Sequence, residues 1–342
     1  MQKIKLYGKD INELIGVTKL LNLPGFTARQ IADWLYKKEI SSIGQMSNLS
    51  KKTREVLEEN YELGLSEPVN GATSKDGTKK YVYRVLENKF IETAYIPETD
   101  RATICVSSQA GCKMGCVFCM TGRQGYQGNL SANEILNQFR SLPEFKSLTN
   151  IVYMGMGEPL DNLPEVLKSL DVLTSEWGYA WSPTRITVST VGLVSGIREF
   201  LEKSRCHLAI SLHSPFDDER RKLMPIQKTN SIGEILEILR KFEINNQRRI
   251  SFEYILFEGL NDTPKHIKEL TAMLNGIKCR INIIRFHAIP GSEFRSPNME
   301  KTIQFKEALN KKGILTTIRA SRGEDIRAAC GLLSTLEQNR KS

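Results

Sequence analysis

Residues 101–127 read RATICVSSQAGCKMGCVFCMTGRQGYQ. Within them Cys112, Cys116 and Cys119 form a Cys-x3-Cys-x2-Cys run directly after an apolar-leaning segment, Thr103–Val106. Three thiolates this close together can converge on one inorganic centre, and Gly111, Gly115 and Gly122 let the loop wrap tightly around it. A closed zinc site or an ordinary iron–sulfur cluster takes four ligands. No fourth cysteine follows at a neighbouring step, so one metal position is left for another group, and an open position is where a metal does chemistry. The residues alone allow two centres: an iron–sulfur cluster, or zinc completed by a remote ligand such as one of the four histidines.

The remainder of the chain limits the setting. Its 342 residues suit a large α/β unit with a small appendage, and 40% hydrophobic with 25% charged residues describe an ordinary soluble protein. No run of 18 apolar residues occurs and the start, MQKIKLYGKD, has no apolar signal core, so a membrane protein is not expected and the expected compartment is the cytosol. There the seven cysteines, three of them in one short run, read as metal or redox chemistry and not as a disulfide framework. The 48 basic residues outnumber the 39 acidic ones, giving +9, a balance that favours polyanionic partners and nucleic acid first.

Before the cysteine run, residues 1–65 read as helical. Leu14, Val17 and Leu21 fall at helical spacing, and Ile31, Trp34 and Leu35 repeat it beyond a Pro24-Gly25 break, with Thr27 as a candidate cap. Arg29, Lys37 and Lys38 around that second helix read most simply as a solvated face. Asn70–Gly77 reads as a turn-rich linker, and Tyr81–Leu86 with Phe90–Tyr95 as a β-hairpin.

After the run, short strands alternate with amphipathic helices. The strand candidates are Thr103–Ser107, Asn150–Met154, Arg185–Thr190, His207–Leu212, Ser251–Phe257 and Arg280–Phe286, with a last one at Ile314–Arg319. Helices are expected at Ala132–Ser141, Leu163–Leu173, Ser195–Lys203, Ile232–Glu243 and Lys265–Leu274. This repetition predicts a parallel sheet with helices outside it, and six units suit an incomplete (β/α) barrel. Most of the chemically suggestive motifs fall at or just after strand ends, where parallel α/β folds collect ligands.

Five motifs then occur in a fixed order: IETAYIPETDRATICVSSQAGCKMGCVFCMTG (91–122), MGMGEPLDN (154–162), ITVSTVG (186–192), LAISLHSP (208–215) and RGEDIRAACG (322–331). Together they resemble the RlmN/Cfr RNA methyltransferases of the radical S-adenosylmethionine (SAM) superfamily, from about Tyr81 to Leu333 and more weakly before that. The resemblance implies an α/β fold: an incomplete (β/α)6 radical SAM barrel (98–342) behind a linker and β-hairpin extension (69–97), with an N-terminal helical accessory domain (1–68) that helps to hold RNA. It implies that Cys112, Cys116 and Cys119 hold a [4Fe–4S] cluster whose fourth iron binds SAM. It also implies SAM contacts at Gly157, Glu158, Ser189, Ser211, Leu212 and His213. His287 stands where the family usually has asparagine, in RFHAIPG, so a SAM contact there depends on what an imidazole can supply.

Three further roles come only from the resemblance. Cys330, by its surroundings a buried small residue, matches the cysteine that accepts a methyl group from one SAM before radical chemistry from a second couples it to adenine. Cys105 matches the partner that forms a disulfide with it to free the product, and Glu92 the base that takes the adenine-bound proton. Cys206 and Cys279 match no motif and are expected to pack in the fold. The implied substrates are adenine carbon 2 in 23S rRNA and in tRNA, with a low-potential donor such as flavodoxin or ferredoxin and a monomeric enzyme. Two rivals remain: a carbon-8 enzyme of the Cfr type, against which Pro159 speaks, and a non-catalytic metal-cluster RNA-binding protein, which would have no use for Cys105, GMGEP and Cys330 together.

Overall fold

A computed structural model describes residues 3–242 and 248–335. One ten-stranded sheet organises it, and its strands lie side by side in strict chain order. We number them β1 (Asn70–Thr73), β2 (Lys79–Val85), β3 (Lys89–Pro97), β4 (Ala102–Cys105), β5 (Asn150–Tyr153), β6 (Ile186–Thr190), β7 (His207–Ser211), β8 (Ile250–Leu256), β9 (Cys279–Arg285) and β10 (Thr316–Ile318). Strands β4 to β10 are all parallel, whereas β1 to β4 are antiparallel. β10 and β1 end the sheet without pairing to each other, which is the open barrel with a hairpin extension that the alternation predicted.

Parallel strands need crossovers, and the amphipathic helices supply them. Ala132–Arg140, Leu163–Thr174, Val194–Lys203, Ile232–Lys241, Pro264–Met273 and Met299–Lys311 send Ile135, Val166, Ile197, Ile235, Leu270 and Leu309 onto the sheet, all essentially fully buried. Capping boxes at Ser131 and Ser231 fix two of the helix starts. The expected end of the fourth helix at Glu243 lies outside the described residues.

Two local expectations are corrected. Asn70–Gly77 is more than a linker: its first four residues pair with β2, Asn70 opposite Val82, which lengthens the hairpin to three strands. Thr27 does not cap its helix; it is the first helical residue, and Phe26 before it makes no side-chain cap. The preceding helix, Ile11–Leu20, is the capped one, through a reciprocal Asp10–Glu13 box. Lys37 and Lys38 share Asp33, and Lys38 also sits 4.0 Å over the Trp34 ring, in keeping with a partly solvated face.

The N-terminal helices do not stand apart. Leu14, Ile31 and Leu35 belong to the same hydrophobic cluster as the barrel's outer helices. Tyr7 joins them, its hydroxyl 2.7 Å from that of Tyr179, and Asn133 donates to the Tyr7 and Gly64 carbonyls.

Candidate active site

The cysteine loop leaves β4 and closes on itself. The Cys112 amide donates to the Gly125 carbonyl at 3.2 Å, and the Cys119 amide to Cys116 at the same distance. Gly111 lies at φ +70, and a side chain there would meet the Gly125 carbonyl at 1.7 Å, so this turn admits only glycine. Cys112 and Cys116 are buried and Cys119 is partly so. Burial pushes the Cys112 thiol up to about 12 and raises that of Cys116, and the neighbouring sulfurs oppose ionisation further. Two buried thiols that resist ionisation beside a third cysteine suit a positively charged centre placed among them. Among the described residues no group of three His, Cys, Asp or Glu side chains is drawn together tightly enough to hold a single metal ion.

The three cysteines share a cavity of about 150 Å³ with Gly157, Glu158, Ser189, Ser211, His213 and Cys330. These come from the ends of β5, β6 and β7 and from the C-terminal segment, as the barrel topology requires. Gly157 sits at φ +95 with its Cα against Gln109: a methyl group there would lie 2.7 Å from the Gln109 amide nitrogen. Glu158 is 2% exposed, its carboxylate accepting from the Leu160 and Val191 amides at 3.1 and 2.8 Å. Burial nonetheless lifts its pKa to about 7, so a cationic ligand beside it would restore full ionisation. His213 is a framework residue at φ 56 whose Nδ1 accepts from the Ile255 amide; burial holds its pKa down at about 3, so it stays neutral. Leu212 does not reach the cavity. It is fully buried, and only its backbone, bonded to Glu253, shapes the strand end.

A second cavity of about 530 Å³ fills the lower barrel and shares Cys119, Met154, Glu253, Arg319 and Cys330 with the first. Cys105 lines it, and so does His287. The His287 Nδ1 lies 3.4 Å from a Glu324 carboxylate oxygen. Cys105 and Cys330 are free thiols here, and none of the seven cysteines is in a disulfide, so the expected bridge is not a standing feature of the fold. Burial pushes Cys105 up to about 12, with the neighbouring Cys330 adding to it, while Arg319 pulls both thiols back down. Cys330 keeps part of its surface open to the cavities although protein surrounds it, so its sulfur is reachable yet poorly hydrated.

The C-terminal segment is sewn to the cluster loop. Met120 donates to Gly331 at 2.8 Å, Thr121 to Leu333 at 2.7 Å, and Gln124 exchanges hydrogen bonds with Thr335. Glu92 takes part in this stitching and does not face either cavity: Lys80 pairs with it at 2.9 Å and the Ser334 amide donates to it at 2.9 Å.

Four supporting residues escaped the sequence reading. Ser107 accepts from the Met156 amide and donates to the Glu92 carbonyl, Gln109 accepts from the Glu158 amide, and Gln138 clamps both sides of Ser107. The fully buried Arg220 ties β6 to β7 by donating to the Val191 and Ser211 carbonyls. Only the polar run SSQ inside an otherwise apolar strand end hinted at the first two; DDERRK around Arg220 reads as a solvated helix.

Comparisons agree with this geometry. Residues 106–271 match the radical SAM superfamily and residues 4–63 the ribosomal RNA large subunit methyltransferase N-terminal domain. Over the full length of both chains the protein is 57% identical to a probable dual-specificity RNA methyltransferase RlmN of Bacteroides thetaiotaomicron. It is 40% identical to the dual-specificity RNA methyltransferase RlmN of Marinobacter nauticus, over 97% of this chain and 93% of that one. A crystal structure of a radical SAM methyltransferase from Sphaerobacter thermophilus superposes with a TM-score of 0.89 at 37% identity, covering 96% and 99% of the two chains.

Proposed function

The chain belongs to the RlmN family of radical SAM RNA methyltransferases, and from that premise we propose that it methylates carbon 2 of adenosine in 23S rRNA and in tRNA with Cys330 as the methyl carrier. The observation that carries this reading is the docking of the Cys330 segment on the cysteine loop, through Met120 to Gly331, which sets one thiol in both cavities at once. Cys112, Cys116 and Cys119 would hold a [4Fe–4S] cluster, which would supply the electron for reductive, radical-generating cleavage of SAM.

The chain's own residues do the rest. Glu158 offers a buried carboxylate to an ammonium group, the Gly155–Gly157 backbone allows close approach, and the ends of β6 and β7 bring Ser189 and Ser211 to the same cavity. Cys330 accepts the methyl group, helped toward the thiolate by Arg319, and presents it to a base in the larger cavity. Once the Cys330-borne carbon is bonded to adenine, Cys105, on the same cavity wall, attacks the Cys330 sulfur. The S–S bond forms as the S–C bond breaks, and the carbon leaves with the electron pair and is protonated to the methyl group. An external thiol reductant then returns the disulfide to two thiols. Glu92 acts as base only after release from Lys80 and Ser334. The enzyme acts as a cytoplasmic monomer fed by a low-potential electron donor; no helix among the described residues is long and apolar enough to cross a membrane.

The test is isomer-resolved mass spectrometry of nucleosides after anaerobic reaction with SAM, reductant and unmodified tRNA or 23S rRNA fragment. We expect 2-methyladenosine. A product peak at 8-methyladenosine would transfer the protein to the carbon-8 branch, and SAM cleavage without any methylated adenosine would remove the substrate assignment.

A further inference from the structure

Barrel interiors are normally packed solid with layers of side chains. Here the lower interior is an open cavity of about 530 Å³ with a polar wall. Its N-terminal mouth is lined by Arg101, Asn150, Thr187, Arg249, Arg280 and Thr317. Arg280 stands opposite Ser251 in the β8–β9 register, two residues along from Arg249 on the same face. Arg101 is paired with Glu98 at 2.6 Å, and Glu253 inside the cavity is already engaged by Asn282 and Arg319. Arg249 and Arg280 have no side-chain hydrogen bond or ion pair among the described residues, although each lies in the other's field. That field has a visible effect: burial, reinforced by Arg249 and Arg280, holds His207 down at about 4, and its neutral Nδ1 accepts from the Arg249 amide. Two guanidinium groups without a carboxylate partner give the mouth of this polar cavity a positively charged rim that an anion would complement.

The cavity leads from this mouth to the reacting thiols. Cys105 pairs with Val152, Val152 with Thr187, Thr187 with His207, and His207 bonds to Arg249 on the next strand. This single lateral row spans four strand spacings of about 4.8 Å along a curved wall, so the straight path across the cavity is shorter. That is the scale of one nucleotide whose base reaches the thiols while its phosphate stays outside. A base acted on within a folded RNA must be turned out into such a pocket.

We propose that RNA approaches from the N-terminal mouth of the barrel, where Arg249 and Arg280 grip backbone phosphates flanking the target nucleotide while its base extends up the cavity to Cys105 and Cys330. The assignment rests on the RNA methyltransferase reading above and adds the side of entry and the residues that hold the strand. SAM and substrate thus come from opposite ends of the barrel and meet at Cys330, which lines both cavities. Guanidinium groups grip phosphate without reading sequence, which suits an enzyme acting on more than one RNA.

The test compares reconstituted full-length wild type with R249A/R280A, the charge-keeping R249K/R280K, and R198A, an exposed arginine on the outer helix Val194–Lys203 away from the cavity. RNA affinity is measured by fluorescence anisotropy with an unmodified tRNA transcript across a salt series, and SAM binding is measured on the same preparations. R249A/R280A is expected to bind RNA about tenfold more weakly, with the slope of log affinity against log salt shallower by about 1.4, the share of two single-strand phosphate contacts. SAM affinity should be unchanged and the lysine pair should recover most of the loss. Unchanged RNA affinity and slope in R249A/R280A, or an equal loss in R198A, would overturn the proposal while leaving the methyltransferase reading intact. A wild type that binds neither tRNA nor the rRNA fragment would sink both.

Discussion

Ser107 offers the sharpest test of how the SAM cavity is held in shape. It is fully buried between β3 and the loop after β5: its hydroxyl donates to the Glu92 carbonyl at 2.6 Å and accepts from the Met156 amide at 2.8 Å. Ser107→Ala leaves one buried carbonyl and one buried amide without that partner. Each orphaned group costs about 1–3 kcal/mol, so the variant should lose about 2–6 kcal/mol of stability. Part of this loss falls on the backbone of Met156, next to Gly157 and Glu158, so SAM affinity should drop about tenfold with it. Urea denaturation of the reconstituted protein measures the first quantity and a calorimetric SAM titration the second. Stability within about 0.5 kcal/mol of wild type together with unaltered SAM affinity would refute the reasoning.

Gly157→Ala should abolish measurable SAM binding while leaving the iron content unchanged, because the new methyl group cannot avoid the Gln109 backbone; an iron assay and a SAM titration on one preparation decide it. Cys105→Ala should accumulate a covalent protein–RNA adduct visible on a denaturing gel, and a preparation that turns over without one counts against its resolving role. Stability should also fall in acid. His213 takes up a proton near pH 6.5 when unfolded but only near 3 when folded, so its share of stability is complete above 6.5 and is lost on acidification by about 1.4 kcal/mol per pH unit. His213→Asn keeps a hydrogen-bond acceptor for the Ile255 amide and tolerates the positive φ, so it should flatten that acid limb in pH-dependent urea denaturation.

The barrel was legible because its information is local. Strand-length apolar runs, amphipathic helices and glycine-rich strand ends recur from Thr103 to Phe286, and the observed strands lie within a few residues of those positions. The cysteine loop was legible for the same reason, its three sulfurs lying within eight residues. What the sequence hid depends on contacts between distant segments. Asn70–Thr73 is polar and glycine-bearing and becomes a strand only because β2 offers it an edge. Glu92 and Ser334 meet across most of the chain, so its engagement with the tail could not be foreseen from a strand pattern. Arg220 looks solvated among its charged neighbours, yet the chain turns it inward to join two strand ends. His287 lines the larger cavity beside Glu324, a carboxylate 37 residues further along the chain that no local pattern ties to it.

The central claim is that the methyl group delivered to RNA first resides on Cys330. The direct measurement is a pulse–chase: methyl-labelled SAM is given to the reconstituted enzyme and removed, the Cys330 peptide is read by mass spectrometry, and unlabelled SAM, reductant and RNA are added. The account predicts label on Cys330 that then appears in the first methyladenosine formed, and neither event in Cys330→Ala. Methyladenosine formed by Cys330→Ala, or first-turnover product drawn entirely from the unlabelled chase, would contradict it.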